Sequence, residues 1–136
     1  MIAGIIWIAY WIGSGIYEGK KVAQMYTLRI QQREDKFRNN PNLLDCLVLL
    51  DTYYWELRQY EKALYYGEYC IRLNVEGTRR GWYVHMLLAD IYRKDNKNLE
   101  KACYHIRLGL EEAKRDNIDE NHIKELKLQN LIDICK

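Results

Sequence analysis

Proline occurs once, at Pro41, and phenylalanine once, at Phe37. With a single proline, little in the chain interrupts long helices. No CxxC pair links the four cysteines, Cys46, Cys70, Cys103 and Cys135, and the histidines His85, His105 and His122 do not complete a zinc-ligand set. No metal and no cofactor are therefore expected, and the cysteines read as buried, reduced thiols acting as small hydrophobes. A glycine-rich phosphate loop and a serine nucleophile elbow are both absent, since Gly13-Ser14-Gly15 lies inside an apolar run. Nothing here supplies a convergent nucleophile and base, so no enzyme is expected. His85 reads as a packed core imidazole. A net charge of +2, with opposite charges interspersed, offers no basic block paired with stacking aromatics and argues against a nucleic-acid partner.

The 136 residues are one domain's worth, and 49% hydrophobic against 29% charged residues excludes global disorder. Charge is missing from Met1 to Tyr17. As a helix that run would extend roughly 25 Å, near the lower limit for crossing a bilayer. A single transmembrane anchor is expected over residues 1–19, with a buried core helix as the other reading. A cleaved leader is disfavoured because no positive segment precedes the apolar run and no A-x-A-like site follows it. Lys20, Lys21, Arg29, Arg33, Lys36 and Arg38 outnumber the nearby acids, so the positive-inside bias puts the body of the protein on the cytoplasmic or equivalent side. Ala9 with Gly13 and Gly15 with Gly19 form a small-residue stripe for packing in lipid, with Trp7 and Trp11 against other membrane proteins. Residues 20–40 read as a juxtamembrane connecting helix ended by Asn39-Asn40-Pro41-Asn42.

From Leu44 to Val75 two amphipathic patterns meet at Leu57-Arg58-Gln59-Tyr60. Leu44, Leu47, Leu50 and Tyr54 recur at helical spacing, as do Tyr60, Ala63, Leu64, Gly67, Cys70 and Ile71. A connection this short makes the helices antiparallel neighbours. The octet LRQYEKAL and the placement of Leu50, Tyr54, Tyr60, Ala63 and Cys70 resemble the tetratricopeptide repeat (TPR), a 34-residue helical hairpin. Asp51, Gly67 and Val75 depart from that pattern, standing where the family has a small residue, an aromatic and a closing proline. A weaker copy, LADIYRKDNKNLEKA, matches through Leu88, Ala89, Tyr92, Leu99 and Ala102 if its turn carries one extra residue. The expected fold is thus all-α: the anchor, two TPR-like hairpins over 43–115, and a capping helix over 119–136 carrying Ile123, Leu126, Leu131, Ile132 and Cys135.

The resemblance implies that first helices line a concave binding face, which nominates Val48, Thr52, Trp55 and Glu56 together with Tyr83, Met86, Asp90 and Arg93. Trp55 is the best single anchor. Among the 12 tyrosines, Tyr53, Tyr65, Tyr66 and Tyr69 cannot all enter one thin core, so some are expected to meet another protein. The expected function is a membrane-anchored interaction scaffold or assembly subunit, with other protein subunits, membrane proteins and the bilayer as partners. The alternative is a receptor for short targeting or client segments, similar in layout to anchored import receptors.

Overall fold

The computed structural model describes residues 2–95, 97–119, 121 and 129–135; residues 2–18 and 129–131 are described by their backbone alone. All regular structure among them is helical. The chain divides into two units, Met1–Asn40 and Pro41–Lys136.

The first unit is one continuous helix, α1 (Ile2–Asn39), which stops just before Pro41. It corrects the membrane reading: among the described residues no helix is long and apolar enough to cross a membrane. Absence of charge over Met1 to Tyr17 is not the same as high hydropathy. Gly4, Gly13, Gly15, Ser14 and the polar-tipped Tyr10 and Tyr17 dilute the aliphatic residues, and the helix runs without a break into Glu18, Lys20 and Lys21. The single-pass placement, the bilayer as partner and the cytoplasmic side assigned to the rest of the chain depended on that span and fall with it. Side chains of Trp7, Ala9, Trp11, Gly13 and Gly15 lie outside the described residues; a Cβ on Gly19 would meet open space.

The second unit starts at α2 (Leu43–Asp51), capped by Asn42, whose extended backbone (φ −142°, ψ 158°) lets its side-chain oxygen accept from the Asp45 N–H at 2.9 Å. A π-helical turn, Thr52–Glu56, continues it. Then come α3 (Tyr60–Arg72), a 3-10 turn (Val75–Gly77), α4 (Gly81–Lys94), α5 (Leu99–Arg115) and α6 (Gln129–Ile134). Of the expected cap over 119–136, residues 120, 122–128 and 136 lie outside the described residues. Thr78 holds the turn before α4: its hydroxyl donates to the Val75 carbonyl at 2.7 Å and accepts from the Arg80 N–H at 3.1 Å.

Two hairpins, α2–α3 and α4–α5, have the same turn. Arg58 and Lys97 both take left-handed backbone (φ 50° and 47°). The next residue, Gln59 or Asn98, donates its N–H to the carbonyl of Tyr53 or Tyr92 at 2.8 and 2.7 Å. That same residue then accepts from Ala63 or Ala102, each at 3.0 Å, to open the returning helix. Tyr53 is thus the structural counterpart of Tyr92 at the turn, where residue spacing had paired Tyr54 with it.

Helix α4 is the centre of the second unit, with every residue from Gly81 to Tyr92 buried except Tyr83. On one side Leu88 presses on α3 at Gly67, where an added Cβ would sit 2.6 Å from Leu88 Cδ2. The missing aromatic of the repeat pattern is therefore replaced by a leucine from the next hairpin. On the other side Trp82, Met86 and Ala89 pack with Ile106 and Ala113, and Ile132 and Cys135 lie against that cluster. The buried stripe of α2 is Cys46, Leu49 and Leu50, so the inward position expected for Leu44 is corrected: it is 72% exposed. The reading of all cysteines as thiols is also corrected. Cys103 and Cys135 form a disulfide, whereas Cys46 and Cys70 are free and buried.

Candidate functional site

Two polar constellations form on this frame. The first runs along the seam between α2 and α4, which lie side by side in the same direction. The Tyr54 hydroxyl donates to Asp90 Oδ2, and Arg93 and Lys94 reach the same carboxylate at 3.3 and 3.4 Å. One turn away the Trp55 indole N–H donates to the Tyr83 hydroxyl at 2.6 Å, and that hydroxyl donates to Asp51 Oδ1 at 2.6 Å. Asp51, a departure from the repeat pattern, thereby receives its partner from the second hairpin. Burial and then the facing Asp90 push the Tyr54 hydroxyl well above the ordinary range; burial and then Asp51 do the same to Tyr83. Both phenols stay protonated and remain donors.

Of the residues nominated for a concave face, Trp55 and Glu56 are exposed and Val48, Tyr83 and Arg93 half-buried. Thr52, Met86 and Asp90 are buried. Thr52 spends its hydroxyl on the Val48 carbonyl at 2.8 Å, and Met86 belongs to the core beside Gly109. Trp55 is the large ring left at the surface, 48% exposed and held by the Tyr83 bond. The tyrosines divide as packing requires: Tyr53 and Tyr66 stack inside the hairpin at 5.6 Å, while Tyr65 is exposed. Arg72 lies over the Tyr69 ring at 4.6 Å.

The second constellation lies where α4, α5, the end of α3 and the 3-10 turn meet. His85 Nδ1 and His105 Nδ1 are 2.9 Å apart, so one proton lies between the two rings. His85 Nε2 faces Glu76 Oε1 at 3.1 Å and Glu112 Oε2 at 3.8 Å. His105 Nε2 faces Glu68 Oε1 at 3.8 Å, and the Tyr92 hydroxyl donates to that oxygen at 2.8 Å. Glu112 is buried, and its Oε2 has no hydrogen-bond partner. Its carboxylate fits only because residue 81 is glycine: a Cβ there would lie 2.2 Å from Oε2. Burial lowers the affinity of both imidazoles for protons, and His85 nearby brings His105 down to about 4. Burial, then Glu76, brings Glu112 up to about 7. A cavity of about 290 Å³ opens beside the cluster, lined by Glu68, Glu76, His85, Tyr92, Lys101 and His105 among others.

Sequence reasoning singled out His85 alone and put it in the core, where it is. It missed Glu112 and His105, although a signal existed. The buried stripe of α5, Ala102, His105, Ile106, Gly109, Glu112 and Ala113, carries two ionisable residues at positions where an apolar one would pack.

Compared with family models, curated proteins and solved structures, the chain matches none.

Proposed function

We propose that this chain is a non-catalytic protein-interaction module of the TPR-like kind, whose paired first helices dock another protein subunit on the surface around Trp55. The observation that carries it is the Trp55 indole, half-exposed and fixed by Tyr83, which Asp51 fixes in turn. An aromatic ring held in place loses little side-chain entropy on binding, which is the property of an interface anchor. The duplicated turn geometry and the parallel run of α2 beside α4 support the repeat resemblance. Val48 and Arg93, half-buried, and Glu56, exposed, offer mixed apolar and charged groups from the same elements, the composition of a protein-interface rim.

A photo-crosslinking amino acid placed at position 55 or 48 of the full chain in its native host tests this. One discrete protein adduct is expected from both positions and none from position 111, on the exposed side of α5. Trp55→Ala should weaken recovery of that partner by about 30-fold, the loss of an anchor contributing about 2 kcal/mol. Equal labelling from all three positions, or partner recovery unchanged by Trp55→Ala, would refute the reading.

A further inference from the structure

We propose that Glu76, His85 and Glu112 form a three-ligand site for a divalent transition-metal ion of the zinc class, bridging the 3-10 turn, α4 and α5. The inference is independent of the docking reading, since it uses none of the residues around Trp55.

The geometry is that of a ligand set. One ligand atom from each residue lies within 4.8 Å of the others. Two of the separations are 3.1 and 3.8 Å. Ligand atoms held about 2.1 Å from a tetrahedral ion sit about 3.4 Å apart, so side-chain movements of about an ångström close the site. One imidazole with two carboxylates is a mixed nitrogen and oxygen donor set, which suits zinc and its first-row neighbours better than magnesium or calcium.

A second observation points the same way. Glu112 Oε2 is a buried acceptor with no hydrogen-bond partner, and it faces His85 Nε2. A buried orphan acceptor is destabilising until a donor or cation reaches it. Arg115, the nearest guanidinium, sits 3.9 Å from the other oxygen, Oε1, and donates to the Glu76 carbonyl at 2.8 Å. It therefore leaves Oε2 to the ion. Gly81 is the matching vacancy in the backbone, since any side chain there would occupy the carboxylate's place.

The imidazole pair provides the support that metal-binding histidines need. With the shared proton on His85 Nδ1, donated to His105 Nδ1, the Nε2 lone pair of His85 faces the two carboxylates and requires a cation between them. His105 then carries its other proton on Nε2, toward Glu68, itself steadied by the Tyr92 hydroxyl. With the shared proton on His105 instead, His85 Nε2–H donates to Glu76 and Glu112 Oε2 is left without a partner. Metal binding thus exchanges one tautomer for the other across the pair. The neighbouring cavity, which Glu76 and His85 both line, gives the ion a path and room for a water as fourth ligand.

The test uses the full chain, stripped with chelator, and zinc or cobalt ions alone. Expected are one ion per chain by native mass spectrometry, and a rise in Tm of about 5–10 °C at a hundredfold excess over Kd. Cobalt should give weak d–d bands without the intense thiolate charge-transfer absorption. Glu76→Gln alters a half-exposed side chain and keeps the fold, so its loss of at least tenfold in affinity is decisive even if Glu112→Gln behaves badly. His85 and His105 ring nitrogen shifts should exchange tautomer on titration. Absence of saturable binding at 100 μM (about 5.5 kcal/mol), thiolate bands, or unchanged affinity in Glu76→Gln would overturn the site.

Discussion

In the first hairpin α2 and α3 bury Cys46, Leu49, Leu50, Ala63, Tyr66 and Cys70 against one another, whereas in the second α4 and α5 bury His85, His105 and Glu112 among Trp82, Met86 and Ile106. The turns that close the two share a left-handed residue and two backbone hydrogen bonds. Turn geometry is therefore independent of what the helices enclose. The first core holds together by apolar contact and by hydrogen-bonded thiols: Cys46 donates to the Tyr66 carbonyl at 3.1 Å, and its contact with Cys70, then burial, pushes the Cys70 thiol well up. The second is built from groups that respond to protons, to redox state and, by the proposal above, to metal. It is also the hairpin to which the C-terminal helix is joined, through Cys103 and Cys135.

The contact between the hairpins gives the largest expected effect. Leu88→Ala removes a fully buried side chain and should cost about 2–5 kcal/mol in a denaturant titration. Gly67→Ala should cost about 1–3 kcal/mol, because its methyl group meets Leu88. The double variant should lose less than the sum, since the void left by Leu88 accepts the new methyl. Strict additivity would mean that α3 and α4 do not meet at this point.

Next in size is the disulfide. Cys103 and Cys135 are 32 residues apart in sequence, and closing a loop of that length contributes about 3–4 kcal/mol in the chain-entropy account. Reduction, or Cys135→Ser, should lower Tm and release amide protection in α5 and α6. Protection in α2 and α3 should persist. Equal loss in both hairpins would remove the distinction between them.

Much of this division was legible in the sequence. Pro41, the turn at Leu57 to Tyr60, and the alanines Ala63 and Ala102 that open the returning helices all act through local geometry, and the structure uses each of them. The inward face of α2 was legible only in part, because helical spacing defines a stripe without saying from which side neighbours arrive. With α3 packed on it, the buried stripe centres on Cys46, Leu49 and Leu50 and leaves Leu44 outside. The uncharged leader misled because lack of charge was weighed as though it were hydropathy. The disulfide and the ligand set join residues far apart on different elements, and local patterning carries no record of such meetings.

The smallest expected effect is in pH dependence, measured on the metal-free chain. Glu112 is raised from its ordinary 4.5 to about 7, so the folded chain holds that proton longer than the unfolded one. Its contribution is full below about 4.5 and is lost as pH rises through about 7. His105, lowered from 6.5 to about 4, works with the opposite sign, and His85 is lowered too. The His105 contribution is present above about 6.5 and is lost as pH falls toward 4, and that of His85 has the same sign. Between those limits the Glu112 and His105 contributions oppose one another and His85 adds to the second, so stability rises with pH toward 6.5 and declines beyond it as Glu112 ionises. Charges facing Glu112 are Glu76, Asp116, Arg115 and His85, and only Arg115 favours its ionised form at neutral pH. Glu112→Gln keeps the shape and removes the ionisation, so it should raise stability at pH 8 by about 1–3 kcal/mol and abolish the decline above 6.5. A substitution that strengthens the metal-free chain while weakening zinc binding separates a ligand from a packing residue. Tyr66→Phe, in the first hairpin, should leave the pH profile unchanged in shape. If Glu112→Gln instead lowered stability at pH 8, the carboxylate would have a partner within the fold, and the second hairpin would be as self-sufficient as the first.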